Sequence, residues 1–170
     1  MVCLKGVIIG WYYAFYLLTL DMASALDIIS LQQAKDFLVI DFPDRDAEIT
    51  RHIKAAVGYI EKYTNHMLYQ RPKEYVIDGC SLEIYDYPLE VSTTVDRVCA
   101  HVLSKTYYAK SGTVLNATVG YSNPDNIPEE LVEAAYKLIT YLTENKDIYT
   151  AGLPWDVQML VNKWRRSATF

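Results

Sequence analysis

The chain has 170 residues, of which 51% are hydrophobic and 22% charged, so it has enough apolar material for one domain and is not a wholly disordered chain. The formal net charge of -5 argues against a nucleic-acid-binding protein, because neutralising phosphates requires clusters of Lys and Arg. Three widely spaced cysteines, Cys3, Cys80 and Cys99, without a CxxC motif exclude a disulfide framework and a zinc site, and indicate free thiols.

The N-terminal residues 6–20 form an apolar run. The run follows a basic start and precedes Ala23–Ala25, a pattern that resembles a secretory signal, although it is shorter than a membrane span. Two other interpretations are open: residues 1–21 precede a natural start at Met22, or the run is a helix that packs against a neighbouring molecule. We expect residues 1–27 to form an extension outside the main domain.

A short helix is predicted next. Ser30 and Gln33 have the spacing of a capping box, which starts a helix. The helix is expected to end before Pro43, since proline disfavours helical backbone at the preceding residue. Its apolar face comprises Leu31, Ala34, Phe37 and Leu38.

A long helix follows, with Asp44 as the expected N-cap and Asn65 as the expected end. Apolar residues recur in it at three- and four-residue spacing, which predicts one face against a core. This face comprises Ile49, Ile53, Ala56, Val57, Ile60 and Tyr63. The opposite face is predicted to be exposed and comprises Arg51, Lys54, Glu61 and Lys62.

The middle of the chain changes to strand-like alternation, which predicts a small antiparallel β region over about residues 75–121. A first strand is expected at Tyr75–Asp78, ending in a turn at Gly79. Residues 107–109 and 113–119 are expected to pair as a hairpin around a glycine-containing loop.

Two further helices are predicted after a loop rich in Asn, Asp and Pro. The first begins at Pro128 and has an apolar stripe of Leu131, Ala134, Ala135, Leu138, Ile139 and Leu142. The second begins at Pro154 and carries Trp155, Val157, Leu160, Val161 and Trp164. The expected fold class is therefore α+β, mainly α: a small bundle of two long and two short helices with an inserted antiparallel β region or hairpin.

The sequence contains no recognisable catalytic, cofactor-binding or metal-binding motif. His52, His66 and His101 are scattered, and we expect them at the surface or at helix ends. Acidic pairs such as Glu129 and Glu130 stand at predicted helix starts, where they complement the helix dipole. We therefore expect no enzyme, no metal and no cofactor, although a site built from distant carboxylates stays open as an alternative.

Three ordered stretches resemble the phage head–tail connector (adaptor) family over roughly residues 28–166. The first is the helix 30–38 followed by Ile40–Asp41 and the acidic segment Asp44–Asp46, and the second is Tyr59–Thr64 at the end of an isoleucine-rich helix. The third comprises 117–121, 127–131, 141–146 and the closing segment 153–166. Lys146 and Trp164 stand where the family commonly has arginine and tyrosine, and the N-terminal 21 residues have no counterpart.

The resemblance implies a structural virion protein that is assembled in the host cytoplasm and located at the neck. Adaptors of this family form a ring, usually a dodecamer, beneath the portal protein. They extend the DNA channel and offer a platform for a stopper or tail completion protein. DNA is expected to pass through the ring without specific binding, and no membrane is expected. The connector domain would span 28–166, with 167–170 as a C-terminal tail.

An aromatic and basic cluster ends this otherwise acidic chain, and we hypothesise that it docks on the portal protein. It comprises Trp155, Trp164, Arg165, Arg166 and Phe170. The alternative is that both tryptophans simply pack on the long helices. The alternative function for the whole protein is a secreted or membrane-tethered binding domain, which the apolar N-terminal run suggests.

Overall fold

The computed structural model describes residues 24–144 and 153–166, which form a helical part and a β part. The helices are α1 (Ala25–Ile28), α2 (Leu31–Leu38), α3 (Asp46–Thr64), α4 (Glu129–Glu144) and α5 (Trp155–Val161). The strands are β1 (Arg71–Val76), β2 (Ser81–Ile84), β3 (Leu89–Val91), β4 (Arg97–Ala100), β5 (Lys105–Tyr108) and β6 (Val114–Val119). The predicted α+β, mainly helical class is confirmed, with the one-turn helix α1 as an addition.

The capping box predicted at the start of α2 is present. The Ser30 hydroxyl accepts a hydrogen bond from the Gln33 backbone N–H at 3.2 Å, and the Gln33 side chain accepts one from the Ser30 N–H at 2.9 Å. Two N–H groups that a helix start leaves unpaired are thereby satisfied. The helix ends before Pro43, as expected, because Val39 adopts a left-handed conformation with φ of 55°.

The start of α3 differs from the prediction, and Asp44 is not its N-cap. Pro43–Arg45 forms a 3-10 turn, so Asp44 lies inside a turn and lacks the extended backbone that an N-cap needs. The helix begins at Asp46, whose carboxylate accepts a hydrogen bond from the Lys35 ammonium at 2.7 Å and ties α3 to α2. The predicted end is confirmed, since Asn65 takes a left-handed conformation that closes the helix.

The helical core forms where α3 and α4 pack against each other, with α5 beside them. The apolar stripes predicted for both long helices face this core, although Tyr63 and Leu142 are only partly buried. Its fully buried large side chains include Ile49, Ile53, Ile60, Leu131, Ile139 and Val157. Each such side chain contributes about 1.5–3 kcal/mol of transfer free energy, so this interface is a main source of stability.

The β part consists of two three-stranded antiparallel sheets with the orders β1-β6-β3 and β2-β5-β4. Their inner faces share one apolar core. The first strand starts earlier than predicted, at Arg71, and includes Pro72, which an edge strand tolerates because one side of its backbone needs no partner. The core side chains come from both sheets and include Ile84, Leu89, Tyr107, Leu115 and Val119.

The hairpin predicted for residues 107–119 is wrong. β5 and β6 belong to different sheets, because the loop between them pairs with the residue after β1 instead of folding back on β5. Ile77 donates to the Thr113 carbonyl at 3.0 Å and accepts from the Gly112 N–H at 2.9 Å. The chain thereby crosses from one sheet to the other at a tight turn, which resembles a hairpin turn in sequence.

Candidate interaction site

A buried ion pair joins the helical and β parts. Glu61 was predicted to be exposed, but it is only 5% exposed. Its carboxylate accepts two hydrogen bonds from the Arg71 guanidinium, at 3.0 and 3.1 Å, and one from the Leu68 N–H at 2.8 Å. The prediction failed because the chain turns back over this face of α3 at Asn65, and α3 alone carries no sign of that turn.

His66 lies at the centre of an aromatic cluster beside this ion pair. The cluster comprises His66, Tyr87, Tyr121, Trp164 and Arg166 and is called the junction cluster below. The His66 ring centroid lies 5.2 Å from that of Tyr87 and 5.7 Å from that of Trp164, and Nδ1 lies 3.1 Å from the Tyr121 hydroxyl. Burial, together with the nearby Arg166 charge, lowers the pKa of His66 to about 4, so its ring is neutral at neutral pH.

His52 is buried inside α3, so the prediction of surface or helix-end histidines is wrong for it, whereas His101 is exposed and His66 lies at the end of α3, although it is buried there. His52 Nδ1 lies 3.1 Å from the Thr143 hydroxyl, which itself donates to the Ile139 carbonyl at 2.7 Å. The hydroxyl therefore accepts from Nδ1–H. This chain of hydrogen bonds links α3 to α4, and burial lowers the pKa of His52.

The C-terminal part of the predicted docking cluster folds back onto the protein. The Arg166 guanidinium lies 4.5 Å from the Tyr87 ring centroid and donates to the Val102 carbonyl at 3.2 Å, while its backbone N–H donates to the Thr64 carbonyl at 2.8 Å. Arg165 lies over the Tyr63 ring at 5.1 Å. Trp164 is half-buried and its ring packs on that of His66, which favours a contribution of Trp164 to the stability of the fold.

Trp155 is separated from the other members of the predicted docking cluster. It begins α5 and is 75% exposed, and Met159, one turn later, is exposed beside it. The opposite face of α5 is buried through Val157 and Val161. Phe170 lies outside the described residues. The structure therefore brings Trp164 and Arg166 together and leaves Trp155 exposed on α5, apart from them.

The described parts of the chain contain no group of three or more His, Cys, Asp or Glu side chains that could hold a metal ion. Cys80 and Cys99 are free thiols, as predicted, and Cys3 lies outside the described residues. Among helices within 24–144 and 153–166, none is long and apolar enough to cross a bilayer. The apolar run 6–20 also lies outside the described residues.

The fold class is therefore α+β, a helical bundle joined to two small antiparallel sheets, with aromatic side chains such as Trp155 and Phe42 exposed on its surface. Residues 28–159 match the family of phage gp6-like head-tail connector proteins, and the chain belongs to this family. It is therefore a structural protein of the virion, located at the head–tail junction.

Solved structures with the same fold come from gene transfer agent particles. A chain from the virion of a native particle is 17% identical, with a TM-score of 0.66, and the match covers 88% of this chain and 95% of that one. A chain from the neck of a native particle, computed with C12 symmetry, is 16% identical, with a TM-score of 0.65 and coverage of 87% and 94%. At these identities the likeness concerns the fold. No curated protein matches the chain.

Proposed function

We propose that the chain is an adaptor ring subunit that binds the portal protein and joins the DNA-filled head to the tail. The observation that carries this proposal is the family match over residues 28–159. The shared fold with chains of particle necks, one of them computed with C12 symmetry, supports a ring, for which we propose a dodecamer. The adaptor acts by binding and not as a catalyst.

In this proposal DNA passes through the ring, and a further neck protein binds on the side away from the portal protein. An acidic chain, with a net charge of -5, suits a channel wall along which DNA slides without specific binding. The opposite side of the ring would offer a platform for a stopper or tail completion protein. The proposed connector domain spans 28–166, and no cofactor is needed for any of these contacts.

Docking on the portal protein is proposed for Trp155 and the C-terminal tail that ends in Phe170. Trp155 is exposed and unpacked, which suits an anchor that becomes buried on binding. Trp164, Arg165 and Arg166 would support the docking surface from within, since they already contact the aromatic side chains of the junction cluster or Tyr63.

Substitution of Trp155 tests this docking without disturbing the core. We expect Trp155→Ala to weaken binding to purified portal rings, measured by cosedimentation, while the circular dichroism spectrum stays unchanged. Phe42→Ala is the matched control, because Phe42 is another exposed aromatic side chain far from α5 in the sequence. Equal portal binding by both variants would reject a docking contribution from Trp155.

Deleting the gene from its phage tests the adaptor function itself. Electron microscopy should reveal DNA-filled or leaking heads beside separate, finished tails, and a plasmid copy of the gene should restore joined particles. Joined particles without the gene would reject the adaptor and favour the secreted or tethered binding domain. Intact-mass measurement separates these two as well, since export would remove residues up to about Ala25.

A further inference from the structure

The outward face of α3 is basic. Arg51, Lys54 and Lys62 are exposed on the side of the helix that points away from the core. None of the ion pairs among the described residues uses these three cations. Gly58 lies between them and a side chain there would meet nothing within 4 Å, so another molecule can approach this face closely.

An acidic groove lies on the outward face of α4, bounded by the 3-10 turn Pro124–Asn126 and by α5. Its walls include the apolar side chains of Val132, Tyr136 and Leu160. Its carboxylates are those of Asp125, Glu129, Glu130 and Glu133. Glu130 is paired with Lys163 and Glu133 lies 3.8 Å from Lys137, whereas Asp125 and Glu129 are in no ion pair between described residues.

The two faces lie on different helices of the bundle. α3 and α4 pack through the stripes that include Ile53 and Ala135, and the basic face and the groove each lie on the far side of their own helix. One chain therefore carries a cationic face on one flank and an anionic groove on the other. This is the arrangement that head-to-tail contacts in a closed ring require.

We propose that the basic face of α3 in one copy docks into the acidic groove of the next copy, and that this contact repeats around the ring. The proposal rests on the adaptor function proposed above. Copies of a chain with a net charge of -5 repel one another unless complementary faces meet, so grouping Arg51, Lys54 and Lys62 on one face supplies both attraction and orientation.

Charge reversal on one flank at a time tests the contact in the deletion phage. One variant carries Lys54→Glu with Lys62→Glu, and the other carries Glu129→Lys with Glu133→Lys. Each variant alone brings like charges together at every contact, so we expect each to yield separate heads and tails. A control variant carries Glu74→Lys with Glu90→Lys, two exposed acidic positions on the β part, and should restore joined particles.

Restoration of the contact is the decisive measurement. When both reversed variants are expressed in one cell, each flank of one variant meets an oppositely charged flank of the other, so joined particles should return. The same result is expected for a single chain with all four reversals. The purified variants should keep the wild-type circular dichroism spectrum and unfold cooperatively, with only a slightly lower melting temperature where Glu129→Lys opposes the dipole at the start of α4, which separates loss of contact from loss of fold.

Three outcomes would overturn the contact. If either single-flank variant restores joined particles, the flank it alters is not in the interface. If the basic-flank variant fails and the mixture does not rescue it, α3 contacts something else, such as DNA or the portal protein. If the phage joins heads to tails without the gene, the adaptor function fails and the interface fails with it, whereas the first two outcomes leave that function intact.

Discussion

At the scale of single residues, a few buried polar side chains join the helical part to the β part. The Glu61 carboxylate receives three hydrogen bonds from the segment that leaves α3, and the guanidinium that supplies two of them belongs to β1. A carboxylate in this position is stable only while its partners stay in place, because an unpaired buried charge carries a large desolvation cost. The ion pair therefore helps to fix the relative placement of the two parts, together with the junction cluster.

Glu61→Gln should destabilise the protein, because it leaves the Arg71 guanidinium partly buried without its countercharge. We expect the free energy of unfolding to fall by about 2–3 kcal/mol, below the range for fully buried pairs because Arg71 is partly exposed. Urea unfolding followed by circular dichroism measures this. Glu133→Gln is the control: its pair with Lys137 is exposed, and its loss should cost less than about 0.5 kcal/mol. Equal losses would contradict the assignment.

The stability of the protein should fall as the pH drops from 6.5 towards 4. Burial, and secondly Arg166, lowers the pKa of His66 from 6.5 to about 4 in the folded state. In this window the unfolded chain binds more protons than the folded chain, so acid favours unfolding. Urea midpoints at pH 7 and pH 5 measure the slope. His66→Gln should reduce the dependence of stability on pH without removing it. His52 contributes to the dependence that remains, because burial lowers the pKa of His52 as well. An unchanged slope in the His66→Gln variant would contradict the burial of a neutral His66 ring.

At the scale of elements, substitution by alanine should change the free energy of unfolding in opposite directions at two glycines. Gly120 follows β6 with φ of 102°, and a Cβ there would lie 2.0 Å from the Tyr69 carbonyl oxygen. Gly58 lies inside α3 with nothing within 4 Å of a Cβ. Backbone strain and steric overlap oppose a side chain at the first position, whereas helix propensity favours one at the second.

Gly120→Ala should lower the free energy of unfolding by at least about 2 kcal/mol, because both the left-handed backbone and the close carbonyl must move. Gly58→Ala should raise it by about 0.5–1 kcal/mol, because alanine loses less backbone entropy in a helix. Thermal melting of the two variants beside the wild type measures both effects. If Gly120→Ala is as stable as the wild type, the backbone at Gly120 does not lie this close to the Tyr69 carbonyl oxygen.

At the scale of the whole molecule, the C-terminal segment 162–166 is part of the folded unit. Trp164 and Arg166 belong to the junction cluster. This cluster joins the end of α3 to the loop before β3 and to the residue after Gly120. A truncation of this segment therefore changes two things at once, the fold and any docking surface. Trp155→Ala changes only the second.

Truncation after Asn162 should lower the free energy of unfolding by at least about 2 kcal/mol, since it removes a half-buried Trp ring and the Arg166 contacts with Tyr87 and Thr64. Urea unfolding measures the loss. Truncation after Arg166 is the control, because it keeps all of these contacts. Equal stability of the two truncated chains would indicate that the junction cluster forms without the segment.

Much of the helical part was predictable from local patterns. The capping box at Ser30, the end of α3 at Asn65 and the apolar stripes of α3 and α4 were all read correctly, because each depends on residues within a few turns of one another. The portal-docking residues stay a prediction, although the structure separates the exposed Trp155 from the packed Trp164 and Arg166.

The sequence by itself determined the order of the main helices and the β region, the buried faces of the long helices and the family, since local periodicity and ordered motifs carry that information. Tertiary structure alone decided that Glu61, His52 and His66 are buried, and that β5 and β6 enter different sheets. The physical reason is that burial of a polar side chain and the pairing of strands depend on partners far away in the chain, such as Arg71 for Glu61 and Thr143 for His52.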